Sequence, residues 1–385
     1  MGALAVALLL PTACSSSPES GGASPAAPAA SVPANPPRPA DCGPAPAASP
    51  TSPDGWLGLL ATTPDDVATV VDDGRGSVVS HAAERPMPLA SAVKIVHVAA
   101  YGRAVAEGGL NPDEPIRLAD WEAWYLPSDG GAHVQALDTL GIPRDPATGL
   151  AADPQRTVPL STMVAAMVQS SDNAATDYLR ERLGDDALVE AAAAGGWQDL
   201  DVPSELGSQL ALVRPQEAPP VTAPRAERAP VEIALARRYA SDPAFREDSQ
   251  RRLVAQAADI EAYLLESERW AESTAVGSAA QLAGLWRAVI TGSFGPGADV
   301  ARSQLEIGRP RPDGQVRAAK GGSFPGIGTM VLSVRRPDGS LGIGVVLGRG
   351  LGATADLAEV GTAQLRFLSR AVEEPAERSR VLCVA

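Results

Sequence analysis

Three short polar stretches carry the residue types of acyl-transfer chemistry: Ser91 with Lys94, Ser171-Asp172-Asn173, and Lys320-Gly321-Gly322-Ser323. The first lies in the apolar run from Pro88 to Tyr101, read as a helix. An i, i+3 pair projects from one side of a helix, so the Ser91 hydroxyl and the Lys94 amine can meet. Apolar neighbours desolvate that amine, disfavour its charged form and lower its pKa, which suits a general base for a serine hydroxyl. An isolated Ser-x-x-Lys is equally an N-cap followed by a lysine that snorkels to water. The second stretch sits in the polar tetrad Ser170 to Asn173, between two apolar helical stripes. It fits a loop buried against a site, offering a hydroxyl and an amide, or else a C-cap followed by an N-cap. The third closes a strand, where glycines let sheet backbone and substrate approach closely. Alone, it reads as a surface lysine before a turn.

In this order the three stretches resemble the motifs of the serine beta-lactamase and penicillin-binding protein superfamily, closest to class A beta-lactamase-like serine hydrolases. The resemblance runs over roughly residues 60 to 372 and departs from the family pattern where Gly321 replaces a threonine. It implies Ser91 as nucleophile, Lys94 as base, Ser171 as proton relay to the leaving group and Lys320 as the charge that biases that hydroxyl. Asn173 would orient Lys94 and the substrate. The N–H groups of Ser91 and Ser323 would form the oxyanion hole beside Gly322. The implied activity is hydrolysis of a lactam, amide or ester through an acyl-enzyme. A D-alanyl-D-alanine peptidase or penicillin-binding protein, and a non-catalytic envelope lipoprotein, are the alternatives. The family's deacylating glutamate has its nearest counterpart in Glu205, followed by Gln209 where an asparagine is usual. Glu205 also reads simply as a first-turn helix acid after a Ser204 cap. The family places a rim aromatic near Trp121, Trp124 and Tyr125, which points to Tyr125, or to Trp124, at the entrance. Otherwise these aromatics cover the edge of a helical region.

The elements that must position these groups are legible as pattern. Residues 65–72 and 76–81 read as a first hairpin, and the nucleophile helix stops near Gly108-Gly109. Residues 110–160 are rich in turn signals. Ser161 reads as the cap of a helix carrying Met163, Val164, Met167 and Val168. Residues 203–273 form an enlarged helical insertion. Strands 315–320, 329–334 and 341–347 and a helix over about 355–372 complete the plan. The expected fold is α+β: an antiparallel sheet flanked by helices, with the site where the sheet meets a large helical region.

The ends and the composition set further bounds. The apolar run 1–14 ends in Ala13-Cys14 and reads as an export signal with a lipoprotein-like lipidation site at Cys14. Residues 15–55, mostly Pro, Ala, Ser and Gly, read as a disordered tether, and residues 56–385 as the hydrolase domain. An exported monomer, anchored only through lipid or secreted, is expected, acting on a small-molecule or cell-wall-related substrate. The net charge of −14 argues against nucleic acid as a partner. Three histidines without ligand spacing and no Gly-x-Ser-x-Gly elbow argue against a metal site and a Ser-His-Asp hydrolase. No cofactor is expected. Cys42 and Cys383, the cysteines remaining after Cys14, are expected to form a disulfide.

Overall fold

A computed structural model of the protein describes residues 32–306 and 310–385. The export segment, Cys14 and the first part of the tether lie outside the described residues. The chain enters the fold through α1 (Pro53–Thr62), then forms the antiparallel pair β1 (Val67–Asp72) and β2 (Val78–His81). A short strand β3 (Met87–Pro88) leads into a 3₁₀ turn at Ala90–Val93 and the long helix α2 (Lys94–Ala106). Next come β4 (Pro115–Arg117), α3 (Leu118–Glu122), α4 (Ala132–Thr139) and β5 (Thr157–Pro159). Three helices follow: α5 (Leu160–Gln169), α6 (Asn173–Leu183) and α7 (Asp185–Ala194). The insertion is α8 (Glu205–Val213), α9 (Arg225–Ser241), α10 (Pro243–Ala257) and α11 (Ile260–Ala271). After β6 (Val276–Gly277), α12 (Ala279–Thr291) and α13 (Ala298–Leu305), the chain makes β7 (Val316–Phe324), β8 (Ile327–Arg335) and β9 (Leu341–Gly348). It closes with α14 (Leu357–Glu373) and α15 (Pro375–Val384).

The five long strands form one antiparallel sheet in the order β2-β1-β9-β8-β7. Every residue of β8 from Ile327 to Val334 and all of β9 is buried, because both faces are covered. On one face Val71, Leu332 and Val346 pack with Trp56 and Leu57 of α1 and Phe367 and Leu368 of α14. On the other, Val70, Val331 and Val345 join the helical region through α2 and α12. The strongly amphipathic α14 ends the sheet side, and the wholly buried turns Lys94–Gly102 of α2 run through the helical side. The fold is therefore α+β, as the sequence pattern implies.

Several local expectations change. Ser91 sits in the 3₁₀ turn ahead of α2, not in an α-helical first turn. Ser161 lies inside α5, whose cap position is Pro159. The turn-rich stretch 110–160 holds two helices and two strands that pair as a ladder. The described part of the tether does not hang free. Asn35 donates to Ser80 O and accepts from Ser80 N, both at 2.7 Å, along the edge strand β2. The Trp56 indole donates to Pro50 O, and Cys42 is bonded to Cys383 of α15. The Pro- and Ala-rich composition misleads here because side-chain pairing and a covalent bond, not a hydrophobic stripe, hold this stretch.

Candidate active site

The three motif stretches converge where β7, the 3₁₀ turn and the loop between α5 and α6 meet. Ala90 and Ser171 both take left-handed backbone conformations, φ 43° and 65°, which non-glycine residues rarely adopt. Such strain persists where surrounding contacts over-determine it, and it marks these two turns as built for position. The Ser170–Ser171 step ends α5, and Asp172 caps α6 by accepting from Ala175 N at 2.6 Å. The capping reading of the tetrad therefore holds, and the same turn carries Ser171 toward Lys94 and Lys320.

Lys94 is buried, and its Nζ donates to Ser171 O (2.5 Å) and Asn173 Oδ1 (2.6 Å), with Ser171 Oγ at 3.4 Å. The amine is therefore drawn across to the Ser171 loop, and among the described residues no hydrogen bond ties it to the Ser91 hydroxyl. Burial pushes the Lys94 pKa down, against the pull of the Glu205, Asp172, Asp129 and Asp177 carboxylates, to about 8. Lys320, also buried, donates to Ser171 Oγ at 2.9 Å and to Gly321 O at 2.6 Å. Burial first, then the Lys94 charge, lowers its pKa well below the ordinary lysine value. The Ser171 hydroxyl thus lies between two amines, a geometry in which a proton can pass along it.

Gly322 brings β7 against the Ser91 turn: a Cβ there would lie 2.3 Å from Ser91 N and 2.8 Å from Ala92 N. The contact leaves room for no side chain and sets the Ser91 and Ser323 backbone on one cleft. Thr329 locks the pair, its buried hydroxyl lying 2.9 Å from Leu89 O and 3.1 Å from Gly322 O. At Gly321 the absent threonine has a visible counterpart, since its Cβ position is crowded by Met330 Cε at 2.8 Å.

Glu205 opens α8 after Ser204, whose side chain accepts from Gly207 N, so the capping reading is right about local structure. It also lines a cavity of about 20 Å³ together with Ser91, Lys94, Thr176 and His97. That volume suits one water. Burial raises the Glu205 pKa, against the opposing Lys94 charge, to about 7. Gln209 reaches back to Glu205 Oε1 at 3.0 Å and accepts from Ser128 Oγ at 2.7 Å, so it clamps the carboxylate to the far wall. Buried Asp177 fixes the start of α8, accepting from Ser204 Oγ (2.6 Å) and Leu206 N (2.8 Å).

The aromatic expectation fails in its detail. Tyr125 is buried and lies against the His133 ring, centroids 4.4 Å apart, away from the cleft. Trp124 lines a separate cavity with Asp177, Arg180 and Ser204. The aromatics on the main cleft are Tyr263, Trp270 and Phe324, supplied by the insertion and β7. Sequence reasoning also missed what holds the Ser171 loop. Fully buried His133 faces Asp172 Oδ2 through Nδ1 at 2.6 Å and Glu122 Oε1 through Nε2 at 3.3 Å. The Trp121 indole donates to Asp172 Oδ1 at 3.1 Å. Burial alone would lower the His133 pKa, but the Asp172 charge and the hydrogen bonds to both carboxylates raise it to about 9. No local motif links residues 122, 133 and 172; the only trace in sequence is three polar residues in apolar surroundings.

The sequence matches the beta-lactamase enzyme family over residues 59–296, more than half of the chain. The protein belongs to that family. This beta-lactamase-family chain is also similar in structure to a beta-lactamase from Sphaerobacter thermophilus DSM 20745, with TM-score 0.54 and 18% identity over 83% of this chain and 94% of that one. A beta-lactamase from Chitinophaga pinensis DSM 2588 gives TM-score 0.50 and 16% identity over 83% and 98% of the two chains. At such identities the likeness speaks for the fold. No curated protein matches the sequence. Among the described residues of this family member no cluster of His, Cys, Asp or Glu is arranged to hold a metal ion. No helix among them is long and apolar enough to cross a membrane.

Proposed function

We propose that the protein is a serine hydrolase that cleaves a lactam, amide or ester through an acyl-enzyme on Ser91. The observation that carries this reading is the meeting of two buried lysines on the Ser171 loop beside a nucleophile turn pressed against β7. In this reading neutral Lys94 accepts the Ser91 proton as Oγ attacks the substrate carbonyl. The N–H groups of Ser91 and Ser323 stabilise the oxyanion, and Ser171 passes a proton to the leaving group, its hydroxyl biased by Lys320. Glu205 then activates a water in the small cavity it shares with Ser91, and water attack on the ester carbonyl frees the acid and Ser91. A lysine with a pKa of about 8 supports base catalysis near neutrality without a histidine. The Cys42–Cys383 disulfide supports an oxidising, extracytoplasmic setting, in line with an exported protein whose Cys14 is lipidated.

The test is pre-steady-state turnover of nitrocefin and p-nitrophenyl acetate by wild type, Ser91→Ala and Glu205→Gln. Wild type should form an adduct visible by intact mass, and Ser91→Ala none. Glu205→Gln should keep a burst stoichiometric with enzyme and lose the following steady state. Acylation should rise with pH as Lys94, its pKa lowered by burial, loses its proton, and deacylation should rise as Glu205, its pKa raised by burial, ionises. A persistent penicillin adduct in wild type would favour a penicillin-binding protein. Wild-type turnover by Ser91→Ala would remove Ser91 from the mechanism.

A further inference from the structure

The main cleft, about 530 Å³, has two unlike sides. One is polar and belongs to the chemistry: Ser128, Asp129, Ser171, Asn173 and Gln209. The other is mainly apolar and is built by α10, α11 and β7: Leu253 of α10, Tyr263, Leu264 and Trp270 of α11, with Ser267 among them, and Phe324 at the end of β7. Trp270 and Phe324 meet edge to face with centroids 4.8 Å apart. The wall is seated on the β7–β8 turn, where a Cβ on Gly326 would fall within 2.3 Å of Glu268 Oε1 of α11.

Position along β7 assigns the two sides to the two halves of a substrate. Lys320 holds Ser171, the proton relay to the leaving group, and Ser323 offers the oxyanion N–H. Phe324 comes next, one residue beyond Ser323 and four residues beyond Lys320, so the apolar wall begins past the carbonyl on the side away from the leaving group. Charge narrows the class further. Among the described residues that line the cleft the only charged one is Asp129, whose carboxylate accepts from Gly131 N and His133 N. Lys320 is not among the lining residues, and its buried amine donates to Ser171 Oγ and Gly321 O. A substrate carboxylate entering here meets an acid and no unpaired cation among these groups, whereas a neutral alkyl or aryl group is desolvated against five apolar side chains.

Resting on the acyl-enzyme reading above, we propose that the substrate is a neutral ester or amide of a bulky apolar carboxylic acid. Its acyl group lodges between α10, α11 and Phe324. Attack by Ser91 Oγ breaks the bond from the acyl carbon to the alcohol oxygen or amine nitrogen, which leaves with a proton from Ser171. Water then releases the free acid. Departure of a carboxylate product is helped by the same Asp129 charge and apolar wall that disfavour an anionic substrate.

The experiment measures kcat/KM for p-nitrophenyl acetate, butyrate, octanoate and laurate, with nitrocefin alongside, on the full chain. A methylene that becomes fully buried contributes roughly fourfold. The octanoate to acetate ratio should therefore exceed about 50-fold, since six methylenes at half that free energy already give this. Leu264→Asp and Tyr263→Ser, each at a half-buried position of the wall, should lower the ratio at least about tenfold, because a polar group then faces the chain. Should either variant fail to fold, the other and the wild-type ratio still decide. Ser91-dependent turnover of acetate with a flat chain-length profile, or a preference for nitrocefin over every ester, would overturn the substrate class and leave the serine-hydrolase reading intact. Absence of any Ser91-dependent turnover, of the esters and of nitrocefin alike, would overturn both.

Discussion

Replacing His133 by glutamine removes a buried positive charge from between Asp172 and Glu122 while keeping a side chain that donates a hydrogen bond. The imidazole has a pKa of about 9 in the fold, against 6.5 for an ordinary histidine. At roughly 1.4 kcal/mol per unit of pKa, the bound proton supplies at most about 3 kcal/mol. The sign follows from the direction of the shift. A pKa raised by folding gives its full stability below pH 6.5 and loses it as pH climbs through 9, so about 2.5 kcal/mol remains at pH 7 and under about 0.5 kcal/mol at pH 9. Lys94 works the other way. Its folded pKa of about 8 lies below the ordinary 10.5, so stability lost to its burial is regained between those pH values. Lys94 and Lys320 are common to both proteins, so the difference between wild type and His133→Gln reports on the imidazolium together with the Asp172 carboxylate whose charge it favours. The assay is urea unfolding at pH 6.5, 7, 8 and 9, followed by tryptophan fluorescence. Trp121, hydrogen-bonded to Asp172, sits inside the affected cluster. The variant should be less stable by about 3 kcal/mol at pH 6.5, with the gap closing by about 2.5 kcal/mol by pH 9. A gap that stays constant from pH 6.5 to 9 would show the wild-type imidazole to be neutral and refute the reasoning. Labelling of Ser91 should fall with the same pH dependence, because Asp172 holds the loop that carries Ser171 and Asn173.

Gly322→Ala should abolish covalent labelling, since its Cβ would fall 2.3 Å from Ser91 N. Thermal unfolding of that variant should shift by only a few degrees if the nucleophile turn gives way locally, and wild-type labelling would refute the close approach. Cys42→Ser should lower stability by about 2–5 kcal/mol in denaturant unfolding with activity retained, because the bond lies at the α15 end of the molecule. Unchanged stability would show that the segment before α1 is held by its other contacts alone.

The parts of the fold legible in sequence are those with a local signature. The first hairpin, the three closing strands and α14 each carry their own periodicity or turn residues, and the three motif stretches announce themselves by residue type. What stayed hidden is long-range. His133, Glu122 and Asp172 come from three separate elements, and Asp177 and Thr329 act on backbone groups far away in the chain. Tyr125 illustrates the limit: an aromatic after a helix reads the same whether it turns to the cleft or, as here, under His133. The Lys94 amine is a subtler case. Spacing puts it on the side of Ser91, but an amine at the end of four methylenes is aimed by its acceptors, which belong to Ser171 and Asn173. The wall on the cleft was unreadable for the opposite reason. Its helices were visible as an insertion, but nothing in their own sequence says which face meets β7.

The bond between Cys42 and Cys383 joins residues 341 positions apart and so closes the fold into a covalent loop. A tension applied between residue 32 and Ala385 would first strip Asn35 from Ser80 at the edge of the sheet, and would then run through one sulfur–sulfur bond. The sheet, the cleft and α2 would carry none of it. In mechanical terms the folded body is a closed ring hung beside the load path. Tension on the leading segment should leave Ser91 labelling unchanged in the oxidised protein and extinguish it once the bond is reduced.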